Sequence, residues 1–183
     1  MILDKLLTFT GTAGSGTAIT DSPTTGATAS TNVIDWHIAG LPVLASGDGA
    51  RDMGIGDNPA LKLLVQVTTT FTSGGAGTLS VALQGAQDNG SGAPGSYTTW
   101  WLSPAYALAT LVAGARLYDM DFPRPPAGVA IPRFVQMVFT IATADMTAGA
   151  IYAGIVLDRM DQPYKGTSNA IMGGYPAGIT VSN

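Results

Sequence analysis

Leu61-Lys62-Leu63-Leu64-Val65-Gln66-Val67-Thr68-Thr69-Thr70-Phe71-Thr72 alternates apolar and polar residues with period two. Successive strand side chains point to opposite faces, so Leu61, Leu63, Val65, Val67 and Phe71 share one face and Lys62, Gln66, Thr68, Thr70 and Thr72 the other. This is a strand with one face in a core and one face outward, and only Leu64 breaks the pattern. Ser73-Gly74-Gly75-Ala76-Gly77 follows as a reversal whose glycines tolerate positive φ. Leu79, Val81 and Leu83 then alternate with Ser80, Ala82 and Gln84. The expectation is a hairpin, residues 61–72 paired antiparallel with 78–87 and burying Leu63, Val65, Leu79, Val81 and Leu83 on one shared face.

The same grammar extends outward from this pair. Residues 33–38 read as a short strand with Ile34, Trp36 and Ile38 on one side. Residues 47–59 are a Gly/Asp-rich connection, and 88–96 a polar, flexible loop leading into a strand over 97–102. Residues 104–111 are the one helix candidate, of two turns at most. A strand over 115–121 ends at Phe122-Pro123-Arg124-Pro125-Pro126, where prolines remove ladder donors. Residues 134–143 and 150–158 form a second expected hairpin. About eight strands with turn signals between them predict an all-β, jelly-roll-like antiparallel sandwich.

The expected organisation is one domain over 1–183: an N-terminal arm and linker (1–32), a β-sandwich core (33–158) and a C-terminal arm (159–183). Residues 11–32 are Gly, Ser, Thr and Ala with hardly any bulky apolar group. Residues 159–183 carry Tyr164, Tyr175 and Ile179 without strand-length alternation. Both ends read as segments that become ordered against a partner and that the core does not need in order to fold. Their apolar residues, Ile2, Leu3 and Leu6 at one end and Tyr164, Tyr175 and Ile179 at the other, are candidate partner contacts. Trp100-Trp101 is a further candidate, because on a regular strand the two rings point to opposite faces, which leaves one either for an interface or for a core position covered by a loop.

Composition narrows the function classes. Hydrophobic residues make up 46 % of the chain, enough for a core, but charged residues only 11 %, well under the roughly 25 % of an average soluble domain. A surface this poor in charge suits a protein embedded in contacts. With 8 Lys and Arg against 12 Asp and Glu, net charge −4 and no basic run, the chain lacks the residues that neutralise phosphates, so no nucleic-acid partner is expected. The absence of cysteine removes disulfide frameworks and thiolate chemistry. Its longest uncharged apolar stretch, 102–115, is broken by Ser103-Pro104 and falls short of the ~20 residues a membrane helix needs. The amino terminus does not read as a secretory signal, so synthesis in the cytoplasm and no membrane partner are expected.

Catalytic signals are sparse. The single histidine, His37, sits on a strand, and there is no Gly-x-Ser-x-Gly elbow. Asp119 and Asp121, two apart, share a strand face, and the bland reading is that they cap a turn or sit at a solvated edge. Asp48, Asp52 and Asp57 lie among glycines, but not at EF-hand spacing. Neither Gly47-Asp48-Gly49 nor Gly54-Ile55-Gly56 has the strand-to-helix context of a nucleotide loop. No enzyme activity, cofactor or metal is expected.

Six stretches, in order along nearly the whole chain, carry a resemblance: Met1-Ile2-Leu3-Asp4, Ser30-Thr31-Asn32-Val33-Ile34-Asp35, Arg51-Asp52-Met53-Gly54-Ile55-Gly56, Leu117-Tyr118-Asp119-Met120-Asp121-Phe122-Pro123, Ala153-Gly154-Ile155-Val156-Leu157-Asp158 and Tyr175-Pro176-Ala177-Gly178-Ile179. Together they resemble the capsid cement (decoration) proteins of tailed phages related to the Bordetella phage cement protein. The resemblance implies a jelly roll on the outside of the virion capsid, clamping neighbouring major capsid protein subunits, and a homo-oligomer, a dimer favoured. It implies no catalytic residues. The alternative from another class is a lectin-like or receptor-binding sandwich of a phage particle, with Tyr97, Trp100, Trp101 and the 88–96 loop as its glycan surface. A shallow groove of coplanar exposed aromatics would favour that alternative.

Overall fold

The apolar face of residues 61–72 is buried as its alternation requires, yet its partner is not the strand that follows it. The computed structural model describes residues 2–11, 20–36, 61–123 and 127–157, with the side chains of 2–6 and 157 left aside. Its strands are β1 (Ile2–Thr8), β2 (Gly26–Ala29), β3 (Ile34–Asp35), β4 (Lys62–Ser73), β5 (Thr78–Ala86), β6 (Thr98–Leu102), β7 (Tyr106–Ala107), β8 (Arg116–Asp121), β9 (Phe134–Ala142) and β10 (Met146–Leu157). One sheet has the order β1-β10-β4-β8 and the other β2-β9-β5-β6, with β3 also on β9 and β7 also on β5. All pairings are antiparallel.

Because β2 and β3 share the edge of β9, and β6 and β7 that of β5, the ten segments fill eight strand positions. The first position pairs with the eighth, the second with the seventh, the third with the sixth and the fourth with the fifth. That nesting is one long hairpin rolled into two layers, a jelly roll.

Both expected hairpins are therefore arches. β4 lies between β10 and β8, whereas β5 lies between β9 and β6 in the opposite sheet; β9 and β10 are divided in the same way. Leu63, Val65 and Val67 are fully buried, as are Leu79, Val81 and Leu83, but the two sets meet across the sandwich. An arch gives each long strand two hydrogen-bonded neighbours and a facing layer at once. A glycine-rich reversal announces a change of direction and leaves its plane open. The reversal's glycines serve close approach here, for none of Gly74, Gly75 and Gly77 has positive φ. A Cβ on Gly77 would lie 3.0 Å from the Ala144 oxygen and 3.0 Å from the Met146 methyl carbon, so the two crossovers stack on each other.

Three further expectations need correction. The stretch assigned to an N-terminal arm supplies β1, on β10, and β2, on β9, and it places Leu7 (6 % exposed) and Phe9 (0 %) in the main core. The helix candidate is β7 followed by a single 3-10 turn (Leu108–Thr110). Leu64, which broke the alternation, is buried on the outer face of its sheet with Tyr152 and Val156, a small second cluster. Residues 37–60 and 158–183, and with them Ile38 and the expected C-terminal arm, lie outside the described residues.

Candidate functional site

On one open side of the sandwich, where β6 and β8 are the edges, aromatic rings join the sheets. Trp101 stands opposite Leu83 on β5, Tyr118 opposite Val65 on β4, so both point inward. Their ring centroids are 4.4 Å apart at 55°. The register of β6 shifts between Leu83 and Gln84, a bulge, and a bulge sets two residues against one. Trp100 consequently does not alternate with Trp101. A Cβ built on Gly85 would sit 2.5 Å from Cζ2 of Trp100 and 2.5 Å from Cγ of Pro132, so the indole occupies the space that glycine leaves empty. Both tryptophans are half-buried and pack against the main core. The expectation that the two rings point to opposite faces is corrected by this bulge. Tyr106 donates from its hydroxyl to the Leu117 oxygen at 2.7 Å, a further tie across the same side.

The opposite side, where β1 and β2 are the edges, is tied by small polar groups. Asp21 exchanges both backbone hydrogen bonds with Ile151 of β10 (2.9 Å each). Its carboxylate accepts from Gly11 N (2.8 Å), Thr31 N (3.0 Å) and Thr31 Oγ1 (2.6 Å). Asn32 donates from its backbone to the Phe9 oxygen (2.9 Å) and from Nδ2 to the Thr8 oxygen (3.2 Å). Ser30 N donates to the Met137 oxygen (2.7 Å), and Ser30 Oγ accepts from Met137 N (3.1 Å). Sequence reasoning missed this knot. Asp21 and Ser30-Thr31-Asn32 are residue types that bond to nearby backbone, a signal present within a stretch that otherwise reads as low complexity.

The 88–96 loop is organised by hydrogen bonds. The Asp88 carboxylate accepts from Gly90 N (2.7 Å) and Gly92 N (3.0 Å) and pairs with Arg133, which also binds Asp35 at 2.9 and 3.0 Å. The Gly92 amide first, then Gly90 and Arg133, hold the Asp88 carboxyl below the usual carboxylate range against an opposing desolvation effect second only to the Gly92 bond. Asp119 and Asp121 do share the outer face of their sheet, and each is in an ion pair, Asp119 with Arg116 (3.2 Å) and Asp121 with Lys62.

Other candidate residues are placed only in part. Ile2, Leu3 and Leu6 belong to β1 by backbone. Tyr164, Tyr175 and Ile179, together with His37, Asp48, Asp52 and Asp57, lie outside the described residues. Among the described residues no group of three or more acids or histidines is gathered for a metal, and no helix is long and apolar enough to cross a membrane. The large hydrophobic side chains that stand exposed there are Val33, Leu102, Val112, Met120, Val129 and Ile131, none of them aromatic.

The family model described as Bbp16 matches residues 15–155, which takes in β2 through all but the last two residues of β10. No curated protein matches the sequence.

Proposed function

This chain belongs to the Bbp16 family, a family of Bordetella phage proteins, and from that premise we propose that it is a non-enzymatic structural protein of the virion, a cement protein on the capsid exterior. It binds across joints between major capsid protein subunits and acts as a homo-oligomer, with no nucleic-acid or membrane partner. Synthesis takes place in the host cytoplasm. The observation that carries this reading is how the charges are used. Every charged side chain described, at Asp21, Asp35, Lys62, Asp88, Arg116, Asp119, Asp121, Arg133 and Asp145, is engaged in an ion pair or hydrogen bond within the chain. Away from these groups the described surface is uncharged, including Thr68, Thr70, Thr72 and Thr147, all exposed, with a 2.8 Å hydroxyl contact between the last two. Covering such a surface strands no buried ion.

A capsid filled with DNA strains the joints between its subunits, and a ligand bound across a joint opposes its opening. Several weak contacts per oligomer suffice, because tethering raises effective concentration. The test adds the full-length protein to DNA-filled heads that lack it. Saturable binding, density across subunit joints in a cryo-EM map and DNA retention on mild heating are the expected results. Absence of head binding, or binding to a glycan array in its place, would overturn the proposal.

A further inference from the structure

Three of the four sheet edges carry devices that discourage pairing with another chain. β8 is charged at Arg116, Asp119 and Asp121. β1 loses register between Leu3 and Thr8 and includes Asp4 and Lys5. β6 is bulged and stops at Ser103-Pro104. Charges, bulges and prolines are the usual means of blunting an edge.

The β2 edge has none of these within its length. It keeps register with β9 over Gly26↔Ile141, Ala27↔Thr140, Thr28↔Phe139 and Ala29↔Val138 without a shift. Gly26, Ala27 and Ala29 are exposed, and the sequence from 22 to 34 contains no ionisable side chain. Ser30 N donates to the Met137 oxygen at 2.7 Å, so Ser30 belongs to the bonded set. By antiparallel alternation Thr28 and Gly26 belong to it too, and the N–H and C=O groups of Ala27 and Ala29 turn away from β9.

We propose that β2 of one copy pairs antiparallel with β2 of a second copy across a two-fold axis, joining two β2-β9-β5-β6 sheets edge to edge. The occupant is a second copy because a two-fold contact sets a strand against itself, and like charges directly opposite each other are destabilising. A self-contact through β8 would bring Asp119 and Asp121 near their own copies. Gly26-Ala27-Thr28-Ala29 meets its own copy with neither charge nor bulk. The inference rests on the oligomeric part of the cement reading and names the surface that part needs.

Sedimentation of the full chain should show a dimer at micromolar concentration. Ala27→Glu with Ala29→Glu, and separately Ala27→Lys with Ala29→Lys, should each weaken it by at least about tenfold while circular dichroism stays native; mixing the two variants should restore it. The chain has no cysteine, so Thr28→Cys reports alone: facing strands bring Cα atoms to about 4.5–5.5 Å, within disulfide reach. It should cross-link readily, and Ala109→Cys on the 3-10 turn should not. A monomeric parent, a dimer indifferent to both charge variants, or equal cross-linking at both cysteines would overturn the pairing. Should the charged variants unfold, cross-linking decides alone. Head binding is scored separately: a parent that dimerises through β2 yet ignores heads sinks the cement reading and leaves this one standing.

Discussion

Along the β6/β8 side the sheets are joined by rings, with Trp101 against Tyr118 and Trp100 over Gly85 and Pro132. Along the β1/β2 side they are joined by a carboxylate, an amide and hydroxyls on Asp21, Asn32, Ser30 and Thr31. Large residues close a gap by filling it, gaining stability from the area they remove from water. Small polar residues close a gap by bringing backbones within hydrogen-bond distance, which demands that every buried donor be met. Closure by rings advertises itself in a sequence. Closure by small polar groups has the composition of a linker until its partners are known.

The sharpest way to break this comparison is at the N-terminal segment, which is as much core as any strand. Phe9 is completely buried in the main cluster and its amide donates to the Ala153 oxygen at 2.9 Å. Phe9→Ala should cost about 3–5 kcal/mol in urea unfolding, the range for removing a buried ring. Asp21→Ala leaves three donors without their acceptor and should cost about 1–3 kcal/mol, less because the site is partly wet. A chain cut back to residues 30–158 should not fold, since it loses β1, β2 and both residues. Native stability of either point variant would restore the reading of this region as a dispensable arm.

A smaller effect sharpens the other side. A double-mutant cycle on Trp101→Ala and Tyr118→Ala should return a coupling of ~0.5–1.5 kcal/mol beyond the separate losses, as expected for two rings in contact. A coupling of zero would mean that the rings merely lie near each other and that the side is held by backbone alone. The pair is informative because Trp101 and Tyr118 are on different sheets, so their coupling measures inter-sheet closure directly.

Strand positions were largely legible in the sequence because period-two alternation reports burial of one face, whichever neighbour supplies the hydrogen bonds. The pairing was not legible. A hairpin and an arch share one signature, two alternating runs around a small-residue reversal, and only the jelly-roll nesting separates β4 from β5. Bulges were equally hidden, so Trp100 and Trp101 read as opposed when both face inward. Gly26-Ala27-Thr28-Ala29 has low strand propensity and was lost among other small residues; tertiary hydrogen bonds to β9 override that weak preference. Charge economy is legible as well: 11 % charged residues predict a surface with few ions. What composition could not show is that pairs as distant as Lys62 and Asp121 consume the charges that exist.

Among the described residues two phenols have a buried hydroxyl without a hydrogen-bond partner, Tyr97 before β6 and Tyr152 on the outer face of β10. Tyr152 lies over Gly154, where a Cβ would sit 2.4 Å from its hydroxyl oxygen, and only 5 % of the residue is exposed. Burial pushes its pKa up to about 12 and raises that of Tyr97 as well. A folded-state value above the unfolded one, about 10 for a free tyrosine, means that the fold favours the neutral phenol. The stabilisation is therefore complete below pH ~10 and is lost as pH rises toward and through 12, because the unfolded chain releases its proton first. Tyr152→Phe should change stability at neutral pH by less than about 1 kcal/mol, toward the stable side, since the hydroxyl removed had been desolvated for no bond. It should also flatten the alkaline decline, and Tyr97→Phe should do so less, its ring being only half-buried. Urea midpoints followed together with phenolate absorbance from about pH 8 to 12 read both effects. If the parent and Tyr152→Phe lose stability with the same slope, the hydroxyl is solvated and the outer face around Leu64 and Val156 is open to water.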